Sequence, residues 1–374
     1  MAYQVPSPMK RPDYIFTHTP TVEEMRARAV QALQDFLSVQ WHTHQKIAHN
    51  KNGAVSHKRF IYEAENTYAG VPYTDAGMGL FQFFEYYDEE AGRLRFYGDG
   101  VEFNKTIGGT CACGVCWSLA TVCSDISGRF INFYMTPKNG FYPVGDFTVP
   151  EDLDDYRNHH TSRIIAEFGE NTILEAYAKT HPGDAVCSSD KDHTMMIIAE
   201  PEVVRDENGK ILPDQSALII ADQQGGKGVG FHDHRVEDEL IHYSGRTEFR
   251  YSFEQLLKMF YIPVSPAEFQ GKKPYERAKV TLTADPKTRE QLAQTEVLSN
   301  YPMAVCKLLL EHENGHRTLL DRYCFNRNDP QTGLARRFPL ERMKEAILSA
   351  EGKAILLEVT TANGEILRPA AVAL

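Results

Sequence analysis

The order in which hydrophobic patterns change along the chain constrains its fold most. Upstream, apolar residues recur at helical spacing. After Thr21-Val-Glu-Glu, an N-terminal helix signal, Met25, Ala29, Ala32, Leu33, Phe36 and Leu37 share one face, which predicts a helix reaching about Trp41. After Gly108-Gly109-Thr110, the residues Cys111, Val115, Leu119 and Val122 repeat at close to i, i+4 and predict a second helix ending before Gly128. Residues 78–87 read as a buried helical segment, a helical stretch begins at residues 148–153, and residues 163–179 continue in that style. Downstream the pattern changes to short apolar runs bounded by turns, at Ala185-Val186, residues 193–199 and residues 216–222, with Asn208-Gly209 as a connecting turn. Helices first and strands afterwards predict an α+β layered core rather than alternating βαβ units.

At 374 residues the chain exceeds the usual size of one hydrophobic core, so two domains are expected. Residues 1–20, with prolines and few apolar positions, read as an extended arm, and residues 21–265 as the main domain. The stretch 263–274, rich in Pro and Gly, is the candidate linker. Beyond it, residues 278–283 and 355–361 alternate like half-exposed strands, Asn363-Gly364 offers a hairpin turn, and a helix is expected at residues 340–348. Residues 275–374 therefore read as a small β-rich accessory domain, with Tyr301, Tyr323 and Phe325 as core rather than a sugar platform.

Composition removes several classes of function. A net charge of −11 argues against a general nucleic-acid binder, which needs a basic surface to neutralise phosphates. No apolar run approaches the roughly 20 residues that span a bilayer, and Met1-Ala-Tyr-Gln-Val-Pro-Ser-Pro lacks the apolar centre of a secretory signal. The 7 cysteines are odd in number and 4 of them lie between Cys111 and Cys123, which fits reduced thiols better than a disulfide framework. A cytoplasmic location is expected, or export if the chain is a trimmed form.

The densest chemical clue is Gly108-Gly-Thr-Cys-Ala-Cys-Gly-Val-Cys-Trp-Ser-Leu-Ala120. A cysteine at the start of a helix sees the positive end of the dipole and unpaired backbone N–H groups, both of which favour the thiolate. The same N–H groups can hold the oxyanion of an attacked carbonyl. Upstream glycines let the backbone approach a substrate closely. Such a nucleophile needs a base within hydrogen-bond reach. Of 14 histidines, His193 is the best placed, because it follows the charged Asp190-Lys-Asp192 loop and opens an apolar strand. A third group must hold the imidazole tautomer. Asp222, at the end of the next apolar run, is the first choice and Gln223 the alternate.

The order helix-cysteine, Pro182-Gly-Asp-Ala-Val186, then His193 opening a strand resembles NlpC/P60-type cysteine peptidases, which are small papain-like enzymes. Gly70-Val-Pro-Tyr73 is similar to the Gly-x-Pro-Tyr turn that precedes their cysteine. The resemblance covers residues 60–226. It implies N-terminal helices packed on an antiparallel sheet, with Tyr73 lining an oxyanion site. It also implies amide hydrolysis through a thioester on cell-wall-type peptides, with no metal or other cofactor. Thr110-Cys111-Ala112 departs from the family's Asp-Cys-Ser. A second register, Cys113-Gly-Val-Cys116-Trp-Ser, resembles the Cys-Gly-Ser-Cys-Trp box of papain and would make Cys116 the nucleophile. Cys111 is preferred because the glycine pair immediately precedes it, whereas Cys116 falls more than one turn into the helix.

Rival readings rest on the same residues. Cys111, Cys113, Cys116 and Cys123 could bind zinc or an iron–sulfur cluster, although C-x-C-x2-C-x6-C fits the usual paired spacing poorly. His232-Asp-His234 with His242 is a second conceivable metal cluster, read as a solvated loop. A redox-sensing pair, Cys111 with Cys113, and a non-catalytic binding module on the same fold complete the alternatives.

Overall fold

Thr21 starts the first helix with a reciprocal cap. Its side chain accepts from the Glu24 N–H while the Glu24 carboxylate accepts from the Thr21 N–H. This helix, α1 (Val22–Ser38), buries Met25, Ala29, Ala32, Leu33, Phe36 and Leu37, the face marked by the sequence. It stops before Trp41, which lies in the strand Gln40–Thr43 and donates its indole N–H to the Gly70 carbonyl. A computed structural model describes residues 11–44, 46–50, 59–73, 77–88, 93–94, 108–126, 135–150, 160–223, 232–236, 239–243, 245–325 and 336–374. Helix α2 is Leu80–Tyr86 and α3 is Cys111–Leu119. The helical region expected at 163–179 is two helices, Thr161–Phe168 and Glu170–Tyr177, broken at Gly169, whose φ of 85° an L side chain adopts only with strain. Most of the stretch expected to begin at 148 lies outside the described residues.

The central sheet has six strands, in the order Gly245–Ser252, Ala217–Gln223, His193–Ile197, Ala185–Ser188, Ile262–Pro266 and Phe141–Pro143. Every neighbouring pair is antiparallel. With helices packed on it, the protein is α+β. Helix α3 is buried along its whole length between α1 and the strands starting at His193 and Ala217. Gly114 makes that approach possible, since a Cβ there would sit 3.1 Å from the Phe36 ring.

Two expectations are overturned here. Residues 263–266 are not linker but part of an interior strand, and Ala267, Glu268 and Phe269 behind it are buried too. Ile262 and Val264 are buried between two partner strands, and burial of that run outweighs the turn tendency of Pro263 and Pro266. His232, His234 and His242 are not in a solvated loop either. They belong to the paired strands His232–Val236 and Glu239–Tyr243, and the latter runs parallel to Asn66–Ala69 in a sheet completed by Gln40–Thr43. That pairing joins segments some 170 residues apart, so no local pattern announces it.

The C-terminal region has its own buried cluster, including Leu292, Val297, Met303, Leu308, Phe325, Phe338, Ile347 and Val359. It lies around a four-stranded antiparallel sheet, Arg317–Cys324, Met303–Glu311, Ala354–Thr361 and Ile366–Ala373, and a smaller three-stranded one. Asn363-Gly364 makes the expected hairpin turn, with Gly364 at φ 84°. Residues 340–348 form a 3-10 turn, Leu340–Met343, running into the helix Lys344–Ser349. Tyr301 and Phe325 are buried, and Tyr323 packs on Phe325 and Phe338. This region meets the first core at α2. There the buried Glu85 carboxylate pairs with Lys307 at 2.8 Å and with Arg11, while Gln82 donates to the Phe325 carbonyl at 3.4 Å. Within the arm, Tyr14 and Phe16 are buried, and the Tyr14 hydroxyl donates to Asp35 at 2.7 Å. Among the described residues no helix is long and apolar enough to cross a membrane.

Candidate active site

Thr110 is the N-cap of α3, in extended conformation, so Cys111 is the first residue of the helix. The Thr110 hydroxyl donates to the Cys113 sulfur at 3.3 Å rather than to the helix backbone. The Thr110 side chain therefore does not cap the helix N–H groups beside Cys111. The backbone on either side of Gly108-Gly109 is clamped. Gly109 donates to the Pro72 carbonyl at 3.0 Å and forms a bridge with Tyr73, and Met78 donates to the Gly108 carbonyl at 2.8 Å. A Cβ on Gly109 would lie 2.7 Å from the Met78 carbonyl oxygen and 3.0 Å from the Cys113 Cβ, so only glycine fits. This clamp brings the backbone of Tyr73 to within two residues of Cys111 in the chain.

His193 opens its strand opposite Ser188, beside the strand that carries Asp222. Its Nε2 is 2.7 Å from an Asp222 carboxylate oxygen. The ring also hydrogen-bonds the Cys111 side chain. Burial works against a charge on this ring. The neighbouring Cys111 sulfur and the Asp222 carboxylate outweigh it, and the imidazole is pushed up to about 10. The His193 side chain is 21% exposed, so one edge reaches solvent, whereas Asp222 is 0% exposed. Tyr261 packs edge-on to the imidazole, with ring centres 6.5 Å apart.

Asp222 is held from the other side by Arg246, on the strand Gly245–Ser252. The guanidinium donates from Nε to Oδ1 at 2.9 Å and from Nη2 to Oδ2 at 2.8 Å, a two-point contact. Burial alone would raise the Asp222 carboxyl, but the hydrogen bonds from His193 and Arg246 bring it down to about 2. Asp222 in turn raises Arg246, against the burial that would lower it. Asp222 is thus an ionised, two-sided anchor. Arg246 in its turn lies over the Phe249 ring at 4.3 Å.

The structure separates the two choices for the third group. Asp222 meets His193, while Gln223, next along the strand, donates from Nε2 to the Val71 carbonyl and so braces the turn that carries Tyr73. It also separates the two cysteine registers. Cys111 contacts His193, whereas Cys116 lies one turn further along α3, where burial pushes its thiol well up. The Pro182-Gly-Asp motif has a scaffolding part. Gly183 turns at φ 89°, and the buried Asp184 accepts from Arg26 of α1 at 2.7 Å and from Ser265 at 2.5 Å, tying helix to sheet.

Arg246 and Tyr261 escaped the sequence reading. Arg246 reaches the site by strand pairing, opposite Asp222 in register, and Tyr261 lies just before the strand Ile262–Pro266; neither sits in a recognisable local motif. The four clustered cysteines do not converge. Among the described residues, the group of His, Cys, Asp or Glu with ligand atoms close enough to hold a metal is His42, His44 and Glu65. None of the 7 cysteines forms a disulfide. Comparison with protein-family models, with curated proteins and with solved structures finds no match.

Proposed function

We propose that the protein is a thiol-dependent amide hydrolase with a papain-like, NlpC/P60-type catalytic core. The observation that carries this reading is the row Cys111, His193, Asp222, in which a helix-starting thiol hydrogen-bonds an imidazole whose Nε2 rests on a buried carboxylate. Cys111 gives its proton to His193 as its sulfur attacks the amide carbon, and the carbonyl π electrons move to oxygen. On collapse the C–N bond breaks and His193 delivers its proton to the leaving nitrogen. Water then attacks the thioester, with His193 accepting its proton and returning it to the sulfur. Asp222 keeps the ring oriented and neutralises its charge. Arg246 is a positioning residue that fixes Asp222. The N-terminal amides of α3 are suited to hold the oxyanion, and Tyr73 is the side chain proposed beside them.

The resemblance of Gly70-Val-Pro-Tyr73, Pro182-Gly-Asp and His193 to NlpC/P60 motifs favours a peptidoglycan-type peptide, with D-γ-glutamyl bonds as the first substrates to try. The C-terminal β-rich region is proposed to position a polymeric substrate. A reducing, cytoplasmic compartment is proposed from the odd number and clustering of the cysteines in the sequence. The test is hydrolysis of a panel of cell-wall-type peptides by the wild type, Cys111→Ala and Cys116→Ala, with intact-mass detection of an acylated enzyme. Cleavage and acylation should vanish in Cys111→Ala and persist in Cys116→Ala. Cleavage that survives Cys111→Ala overturns the proposal.

A further inference from the structure

Apart from the proposed catalytic row, one cluster of side chains among the described residues has the chemistry of a metal site. His42 is in the strand Gln40–Thr43, His44 follows that strand by one residue, and Glu65 precedes the partner strand Asn66–Ala69. Residues two apart in a strand share a face, so both imidazoles stand on the same side. The pairing of Thr43 with Asn66, and the Glu65 N–H bonded to the Thr43 carbonyl at 2.7 Å, bring the Glu65 carboxylate between them. The carboxylate oxygen is 2.9 Å from His44 Nδ1 and 3.5 Å from His42 Nε2, and the ligand atoms of the three residues all lie within 4.8 Å of one another.

These separations suit zinc. Tetrahedral bonds of roughly 2.0–2.1 Å imply about 3.4 Å between ligand atoms, close to the spacing already present. Two imidazoles and one carboxylate are a common zinc donor set, and three protein ligands leave a position for water. The His42 ring is also oriented from behind. Its Nδ1 lies 3.2 Å from the Thr67 hydroxyl, its register partner across the strands, which turns Nε2 toward Glu65. The two imidazole rings are neighbours, with centres 4.8 Å apart, and the carboxylate between them supplies the charge that a divalent cation matches.

We infer that His42, His44 and Glu65 bind a zinc ion, or a divalent cation of like preference, on the surface of the strand pair that leads into the Val71–Pro72–Tyr73 turn. The site uses none of the residues of the proposed catalytic row, so it stands or falls independently of the hydrolase reading. The bound ion joins the end of one strand to the start of its partner.

The test uses the full chain, loaded with Zn2+ in isothermal titration and with Co2+ for its absorption spectrum. Wild type and Cys111→Ala should each take up about one equivalent, with a Co2+ spectrum lacking the thiolate charge-transfer band. His42→Ala, His44→Ala and Glu65→Gln should each weaken binding at least about tenfold, the loss typical even of an outer partner. All three residues are partly or fully exposed, so circular dichroism should show the variants folded. Glu65→Gln, nearly isosteric, keeps the test decisive if a histidine variant fails to fold. No uptake by the wild type, uptake unchanged in Glu65→Gln, or a thiolate band lost only in Cys111→Ala would each overturn the site.

Discussion

Replacing Arg246 with Met probes the anchor of the catalytic row. Asp222 is 0% exposed and holds two cationic partners, Arg246 and His193. Its carboxyl lies near 2, against an ordinary 3.8, a depression that is net of the opposing burial and worth roughly 2 kcal/mol. Removing one partner of a buried pair usually costs about 3–5 kcal/mol. Here His193 still neutralises the carboxylate, so a loss of about 2 kcal/mol is expected at pH 7. For a chain of 374 residues that is about 2–3 °C in Tm. The sign of the pH dependence follows from the depressed carboxyl. The stabilisation is present above pH 3.8 and is lost as pH falls through 2, and in Arg246→Met this window narrows and moves up. Urea unfolding of wild type, Arg246→Met, Asp222→Asn and the double variant gives the coupling directly. The reasoning is refuted if Arg246→Met costs less than about 0.5 kcal/mol, the scale of a neutral surface change. It is equally refuted if the cost is undiminished in the Asp222→Asn background.

The remaining expectations concern the same site. A histidine NMR titration should find His193 protonated up to about pH 10 in the wild type, and lowered in Cys111→Ala, where the neighbouring sulfur is gone. Because this value is raised above the unfolded one, the stability it contributes is complete below pH 6.5 and fades as pH rises through about 10; an ordinary titration near 6.5 in the wild type contradicts the geometry. Gly109→Ala drives a methyl against the Met78 carbonyl and should cost about 1–3 kcal/mol, slowing alkylation of Cys111 as the helix start shifts; unchanged stability and labelling would mean the clamp is looser than described.

What could be read from the sequence was local, and what escaped was long-range. The Thr21 cap, the helix beginning at Cys111, the His193 strand and the Asn363-Gly364 turn each depend on residues within a few positions of one another. Their patterns survive in the structure because tertiary contacts agree with them. Pro263 and Pro266 were misread because turn chemistry is also local, while the burial of Ile262 and Val264 between partner strands depends on residues 141–143 and 185–188. Arg246 was invisible for the same reason. An arginine at the start of a strand has no signature until register sets it opposite Asp222. The His42, His44 and Glu65 cluster is formed by strand pairing too, which is why the linear cysteine run looked like the better metal site. Helix α1 ends at Ser38, and Trp41 is instead buried in the strand Gln40–Thr43 with its N–H on the Gly70 carbonyl.

The central claim is that Cys111 is a nucleophile activated by His193. The most direct test is an iodoacetamide time course at pH 6 and pH 8, read by peptide mass spectrometry on wild type, Cys111→Ala, Cys116→Ala and His193→Ala. Cys111 should label first among the 7 cysteines at pH 6, lose that reactivity in His193→Ala, and keep it in Cys116→Ala. Slow labelling spread evenly over all the cysteines, or a fast one that is not Cys111, would contradict the account.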